Sequence, residues 1–262
     1  MEKNQQKAIL VVSFGTSYHD TREKTIDKLE EDLQKAFPDR TFYRAWTSKM
    51  IIKKVLKRDG IKVNTVTEAM EQMMADGVKD VVIQPTHILG GVENDFMTAD
   101  AMAFAEQFDS IVIGAPLLIE TEDFFTTIEA VVKEFAVPDD EAMVFMGHGT
   151  THQTNSVYAA LDYMFKDAGH DNYFIGTVEA YPEFDTMLKL LKKSPYKKVT
   201  LAPFMIVAGD HANNDMAGDE DDAWKAMLEK EGYEVTCVLK GLGEIPSIRK
   251  IFTSHALKIV EN

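Results

Sequence analysis

The sequence is poor in several features that mark common protein classes. Its 262 residues hold one cysteine, Cys237, so no intrachain disulfide can form. That residue sits in a strand-like run, 234–239, and reads as a buried core thiol. Basic residues are outnumbered: 28 Lys and Arg face 43 Asp and Glu, a net charge of −15. Such a balance disfavours a nucleic-acid partner or an anionic membrane surface. No apolar stretch approaches the ~20 residues of a membrane span. The run 8–12 after the first lysines is too short for the apolar core of a signal sequence and leads into a glycine turn. It reads as a first strand, and the chain as cytoplasmic. No GxxxxGK[ST] is present, which argues against ATP-driven work, and no GxGxxG follows a strand, which argues against a dinucleotide cofactor.

What is present is a regular alternation. Hydrophobic residues make up 45% of the chain, enough for a substantial core. Short apolar runs predict strands at 9–14, 41–46, 81–85 and 111–115, and again at 142–146, 173–178, 199–202 and 234–239. Amphipathic stretches between them predict helices, including a methionine-striped one around 66–74 that is most simply core. In the second half, helices are expected at 156–166, 182–193, 219–231 and 246–259, with Pro182 and Pro246 in first turns. Alternating strands and helices with short connections imply parallel sheets flanked by helices. The fold class is therefore α/β, with two similar domains, each a four-stranded parallel sheet, facing a central cleft. A boundary near 134–140 divides the chain into 1–135 and 136–262.

The halves repeat in their residues as well. VVSFGTS (11–17) aligns with FMGHGTT (145–151), which sets Phe14 opposite His148. VVIQPTHILGGVEND (81–95) aligns with VTLAPFMIVAGDHAN (199–213), which sets Pro85 opposite Pro203 and Glu93 opposite His211.

Three polar groups follow consecutive strands of the second half. His148 lies in Gly147-His148-Gly149, where Thr150, Thr151 and Thr154 are available to cap the next helix. Glu179 ends the second strand, and His211 lies in the loop after the third. Strand ends of one parallel sheet point the same way, so the three can converge at its carboxyl edge. Two imidazoles and a carboxylate suit Co²⁺, Fe²⁺, Ni²⁺ or Zn²⁺, and can also accept protons near neutral pH. His152 stands four residues from His148, but Gly149 intervenes and no HExxH glutamate is present. The acidic run Asp215, Asp219, Glu220, Asp221 and Asp222 near His211 could funnel cations, but reads more simply as a helix N-terminus that complements the helix dipole.

The GHGT turn (147–150), the VEAYP glutamate and the P-x₅-GDH stretch, spread over a duplicated α/β chain, resemble the class II chelatases. Within them they are most similar to the anaerobic cobaltochelatases of cobalamin biosynthesis. The resemblance implies ATP-independent insertion of Co²⁺ into sirohydrochlorin, with Co²⁺ as substrate metal and no permanently bound cofactor. It maps the metal-site histidines onto His148 and His211, the two catalytic candidates, and their acidic partner onto Glu179. The first domain would grip the macrocycle. Its candidate substrate contacts are Ser13, Phe14, Thr16, Arg44, His87, Gly91 and Glu93, with Arg22, Lys49 and Gly90 as further groups for the substrate's eight carboxylates. A non-catalytic tetrapyrrole or metal carrier, and a chelatase for Fe²⁺ or Ni²⁺, are the alternatives. A two-histidine, one-carboxylate iron oxygenase shares the ligand set, but such sites normally sit in a β-barrel. Sirohydrochlorin and a divalent metal are the expected partners, and whether the chain forms a homo-oligomer stays open.

Overall fold

A computed structural model describes residues 4–261, and side chains for 6–260. Residues 1–3 and 262, which end the two predicted domains, lie outside the described residues. The chain divides into two compact units, Met1–Ile119 with Pro246–Asn262, and Glu120–Ile245. Each holds a four-stranded sheet in which every described pairing is parallel.

In the first unit the strands are β1 (Asn4–Ser13), β2 (Arg40–Trp46), β3 (Asp80–Pro85) and β4 (Ser110–Ile113), in the order β2-β1-β3-β4. Side chains alternate along β1. Ala8, Leu10 and Val12 pack with Val66, Met70 and Met73 of helix α4 (Val66–Ala75). Ile9 and Val11 pack on the other face, with Leu33 of α2 (Ile26–Ala36) and Ala256 of the last helix, α10 (Pro246–Glu261). This two-sided burial is why the parallel strands read as continuous apolar runs. Helix α4 starts in a capping box: the Thr65 side chain accepts from the Glu68 N–H, while Glu68 accepts from the Thr65 N–H. Met74, at the end of the methionine stripe, is exposed. Helices α1 (His19–Lys24), α3 (Lys49–Asp59) and α5 (Val92–Met102) complete the unit.

The second unit repeats this plan with β5 (Glu141–Gly147), β6 (Tyr173–Thr177), β7 (Lys198–Phe204) and β8 (Glu234–Cys237), in the order β6-β5-β7-β8. Phe145 is buried among Phe135, Phe165, Tyr173 and Phe204, with ring centroids 5.4–6.2 Å away. On the opposite face Ala142, Val144 and Met146 pack with Met187 of α8 (Phe184–Leu191) and Leu228 of α9 (Trp224–Lys230). Among the described residues no helix is long and apolar enough to cross a membrane.

Four expectations need correction. The units do not divide at 135/136. Helix α6 (Thr121–Glu134) belongs to the second unit, where the Tyr173 hydroxyl donates to the Phe135 carbonyl at its end, 3.1 Å. Helix α10 returns to the first unit, where Arg249 Nε donates to Asp32 of α2 at 2.7 Å. Pro182 opens no helix: it follows a cis peptide bond, and its carbonyl accepts from the Thr177 N–H before α8 begins at Phe184. The acidic run 219–222 precedes α9, whose first turn carries no acidic residue. Cys237 is half-buried at the end of β8 rather than sealed in the core.

The duplication survives at the level of individual hydrogen bonds. Val12 pairs with Pro85 as Met146 pairs with Pro203. Beyond the strands, Ser48 N–H donates to Phe14 O at 3.2 Å and Glu179 N–H to His148 O at 3.0 Å. Leu117 and Leu118 donate to His87 and Ile88 as Leu242 and Gly243 donate to Met205 and Ile206. Phe14, Ser48 and Glu93 therefore hold in unit one the places of His148, Glu179 and His211 in unit two.

Candidate metal centre

The site is assembled from the backs of three strands. Strand β5 runs out at Gly147, where an added Cβ would lie 2.4 Å from the Tyr158 ring. Gly149 has φ +88°, a left-handed conformation that favours glycine, and its Cβ would meet the Ala180 N at 2.9 Å. The two glycines thus let the chain turn tightly around His148. Beneath it lies Tyr158 of α7 (Ser156–Asp167). Burial pushes its phenol up to about 12, against backbone hydrogen bonds from Gly149 and His148. The turn is capped differently from expectation. His152 rather than the threonines caps the short turn before α7, accepting from the Thr154 N–H at 3.2 Å. Asn155 ties this turn to the next loop: its Oδ1 accepts from Thr150 N–H at 3.0 Å, and its Nδ2 donates to the Tyr181 carbonyl.

Strand β6 supplies the carboxylate. The parallel ladder continues past its end, with Val178 and Glu179 N–H donating to Gly147 and His148 carbonyls, both at 3.0 Å. That register sets Glu179 beside His148. Strand β7 leads through a loop to His211, which opens a single π turn, Ala212–Met216. Buried Ala212 and Met216 fasten that turn to the core of the second unit.

One ligand atom from each of His148, Glu179 and His211 can be chosen so that all lie within 4.8 Å of one another. The two imidazole centroids are 4.7 Å apart with the rings at 89°. His148 Nδ1 lies 3.7 Å from Glu179 Oε2 and 2.9 Å from the Gly149 carbonyl. A carbonyl only accepts, so that last hydrogen bond puts the proton on Nδ1 and the free lone pair on Nε2. His211 is held likewise, with Nδ1 2.8 Å from Asp215 Oδ2. The side chains of His148, Glu179 and His211 are 40%, 56% and 30% exposed, open enough to meet a large reactant. Two imidazoles and one carboxylate suit a borderline divalent cation, and three ligands leave positions open for further donors.

The other expected residues are placed in the first unit with mixed results. Phe14 stands 41% exposed in the turn after β1, equivalent to His148. Glu93 is half-buried in the first turn of α5, whose N-cap is Gly91. Ser13 and Thr16 are buried rather than displayed. The Ser13 hydroxyl accepts from Thr86 at 2.8 Å, and the Thr16 hydroxyl accepts from the Tyr18 N–H at 3.2 Å. Arg44 does not follow a strand end: it lies within β2 and is committed to Glu30 and Asp27 of α2. Arg22 also pairs with Asp27, at 3.3 Å, while Lys49 is exposed at the start of α3. Both His87 ring nitrogens are sealed from solvent without a hydrogen-bond partner. Burial lowers its pKa to about 4, offset in part by the nearby Asn94 side chain. Asp215, Tyr158 and Asn155 were not legible as site residues. An acid four residues after a histidine is the one signal that was available, for Asp215.

The chain is 42% identical over 251 residues to the sirohydrochlorin cobaltochelatase of Salmonella typhimurium, covering 95% of each chain. It is 32% identical over 254 residues to the sirohydrochlorin cobaltochelatase CbiKC of Nitratidesulfovibrio vulgaris, covering 95% of this chain and 89% of the relative. Its fold is similar to that of SirB from Bacillus subtilis solved with Fe³⁺, with a TM-score of 0.65 at 12% identity over 97% of this chain and 95% of that one. The family model described as cobalt chelatase (CbiK) matches residues 7–261, and the chain belongs to that family.

Proposed function

We propose that the protein inserts Co²⁺ into sirohydrochlorin without ATP, using His148, Glu179 and His211 to present the metal. The observation that carries the reading is the proximity of these three side chains, all within 4.8 Å, in a chain matched over its length by cobaltochelatases. Co²⁺ enters as a substrate, and no resident cofactor is invoked. The exchange balances: one dication enters the macrocycle as two pyrrole N–H protons leave. Nε2 of His148 and of His211 offer neutral lone pairs, and the Glu179 carboxylate lowers the net charge of the loaded site to +1. His148, whose Nδ1 is held by the Gly149 carbonyl, takes one pyrrole proton after releasing the metal. His211 or solvent takes the second. Phe14 and Glu93 hold the equivalent positions in the first unit and offer no second metal-presenting set there. A phenyl ring cannot ligate a borderline cation, and a lone carboxylate binds one weakly.

An anaerobic absorbance assay with sirohydrochlorin in large excess over protein, run with Co²⁺, Fe²⁺ and Ni²⁺ separately, tests this. Many turnovers with Co²⁺ are expected. A single stoichiometric event would instead mark a carrier, and faster turnover with Fe²⁺ or Ni²⁺ would reassign the metal.

A further inference from the structure

We propose that Asp215 is a positioning residue for metal insertion, fixing the tautomer and direction of the His211 ring through the hydrogen bond to its Nδ1. The inference rests on the reading of His211 as a metal-presenting group. The two imidazoles of the site are oriented by unlike partners. His148 leans on the carbonyl of its own neighbour, Gly149, at 2.9 Å. His211 leans on a side-chain carboxylate, Asp215 Oδ2, at 2.8 Å. A carboxylate can only accept, so Nδ1 of His211 carries the proton and Nε2 is left to face a cation. Among the described residues, the mutually close ligand atoms come from His148, Glu179 and His211, and Asp215 is outside that set. It stands one step behind the donors, where carboxylates that orient ligating histidines are found.

The local chain is shaped to hold this pair. His211 has helical backbone angles and opens the π turn, which is closed by Ala217 N–H donating to the Ala212 carbonyl at 3.2 Å. A π turn inside a helical segment is rare and often occurs at functional sites. Gly218 allows it: a Cβ there would lie 2.2 Å from the Asn214 carbonyl oxygen. At the entry Asn213 Nδ2 donates to the Gly209 carbonyl at 2.7 Å, pinning the loop that brings His211 in. Ala212 and Met216 are fully buried, so the residue after each member of the His211–Asp215 pair is anchored while the Asp215 side chain itself is 48% exposed. An exposed four-residue pair would ordinarily contribute little to stability. The hydrogen bond acts on the ring it orients rather than on the fold.

Anaerobic Co²⁺ titration of the full chain without tetrapyrrole, followed by visible ligand-field absorption and checked by dialysis, tests the assignment. Asp215→Ala should weaken Co²⁺ binding about 10–100-fold and alter the spectrum. Asp215→Asn, whose side-chain carbonyl still accepts from Nδ1–H, should recover most of both. Both variants should keep the wild-type Tm. Wild-type Co²⁺ affinity in Asp215→Ala would overturn the proposal. So would an Asn variant as weak as the Ala variant, or losses that follow a fall in Tm. His211→Ala, run alongside, separates the two levels. If it binds Co²⁺ like wild type, the metal-presenting reading of His211 fails. If it loses Co²⁺ while Asp215→Ala does not, only the positioning role fails.

Discussion

Replacing Gly149 by alanine isolates how closely the turn around His148 must be held. The residue has φ +88°, and an added Cβ would lie 2.9 Å from Ala180 N, 3.0 Å from Ala180 Cβ and 3.1 Å from Thr177 Cβ. Ordinary contacts of this kind begin near ~3.5 Å, so the two loops must separate by roughly 0.5–1 Å. The loop that gives way carries Glu179, whose carboxylate lies 3.7 Å from His148. A misplacement of about 1 Å in a reacting constellation can cost about 100-fold in rate. The left-handed backbone adds a separate cost to stability of about 1–2 kcal/mol, or a Tm fall of about 2–8 °C. Gly169 supplies the control. It has φ +85° and nothing within 4 Å of its added Cβ, so its alanine variant bears the backbone cost without the clash. Gly149→Ala should lose at least as much Tm as Gly169→Ala by thermal denaturation, and only Gly149→Ala should lose metal insertion in the anaerobic assay, about 100-fold. Wild-type turnover in Gly149→Ala, or equal activity losses in the pair, would refute the geometric argument.

The triad variants His148→Ala, His211→Ala and Glu179→Gln should each lose most insertion activity while keeping their circular dichroism, because all three residues lie beyond strand ends. Acidification should lower wild-type activity, because protons compete with the metal for the ligand lone pairs; a flat profile would count against histidine ligation. His87, held near pKa 4 by burial against an ordinary value of about 6.5, stays neutral in the fold while the unfolded chain binds a proton. Stability should therefore be fully present above about pH 6.5 and decline by about 2–4 kcal/mol as pH falls to about 4. Urea midpoints of a His87→Phe variant should lack that decline, and an unchanged slope would show that another group is responsible. Equilibrium dialysis with Co²⁺ should find one tight site per chain, lost in His148→Ala, because Phe14, Ser48 and Glu93 fill the equivalent places in the first unit; two tight sites would contradict this.

Much of the architecture was readable because parallel strands covered on both faces are nearly pure apolar runs. Val81–Ile83 and Met143–Met146 could hardly be anything else once flanked by turn residues. The His148–Glu179–His211 set was readable for a related reason: glycine and proline punctuation marks strand ends, and strand ends of one sheet share an edge. What stayed hidden depends on contacts between distant residues. Arg44 looked free for an anionic substrate. Alternation along β2, however, puts it on the same face as Phe42, toward α2, where burial raises the pKa of Glu30 against the pull of Arg44 itself. The start of α9 was misplaced because four consecutive acids resemble a helix N-terminus, whereas Ala223 is the N-cap residue and Trp224 anchors the helix in the core. Asp215 was hidden within the same acidic run, and only the π turn shows it reaching back to His211.

The return of α10 to the first unit has a consequence for the order in which the protein can be made. The second unit has its whole chain by Ile245, including His148, Glu179 and His211. The first unit, although begun earlier, still lacks Ile248, Phe252 and Ala256, each fully buried in the finished protein. Until those residues are synthesised, the sheet face carrying Ile9 and Val11 has an uncovered strip of apolar surface. The half begun first is thus the half completed last. A nonsense codon just before Pro246 would leave His148, Glu179 and His211 in place and strip the core of the first unit.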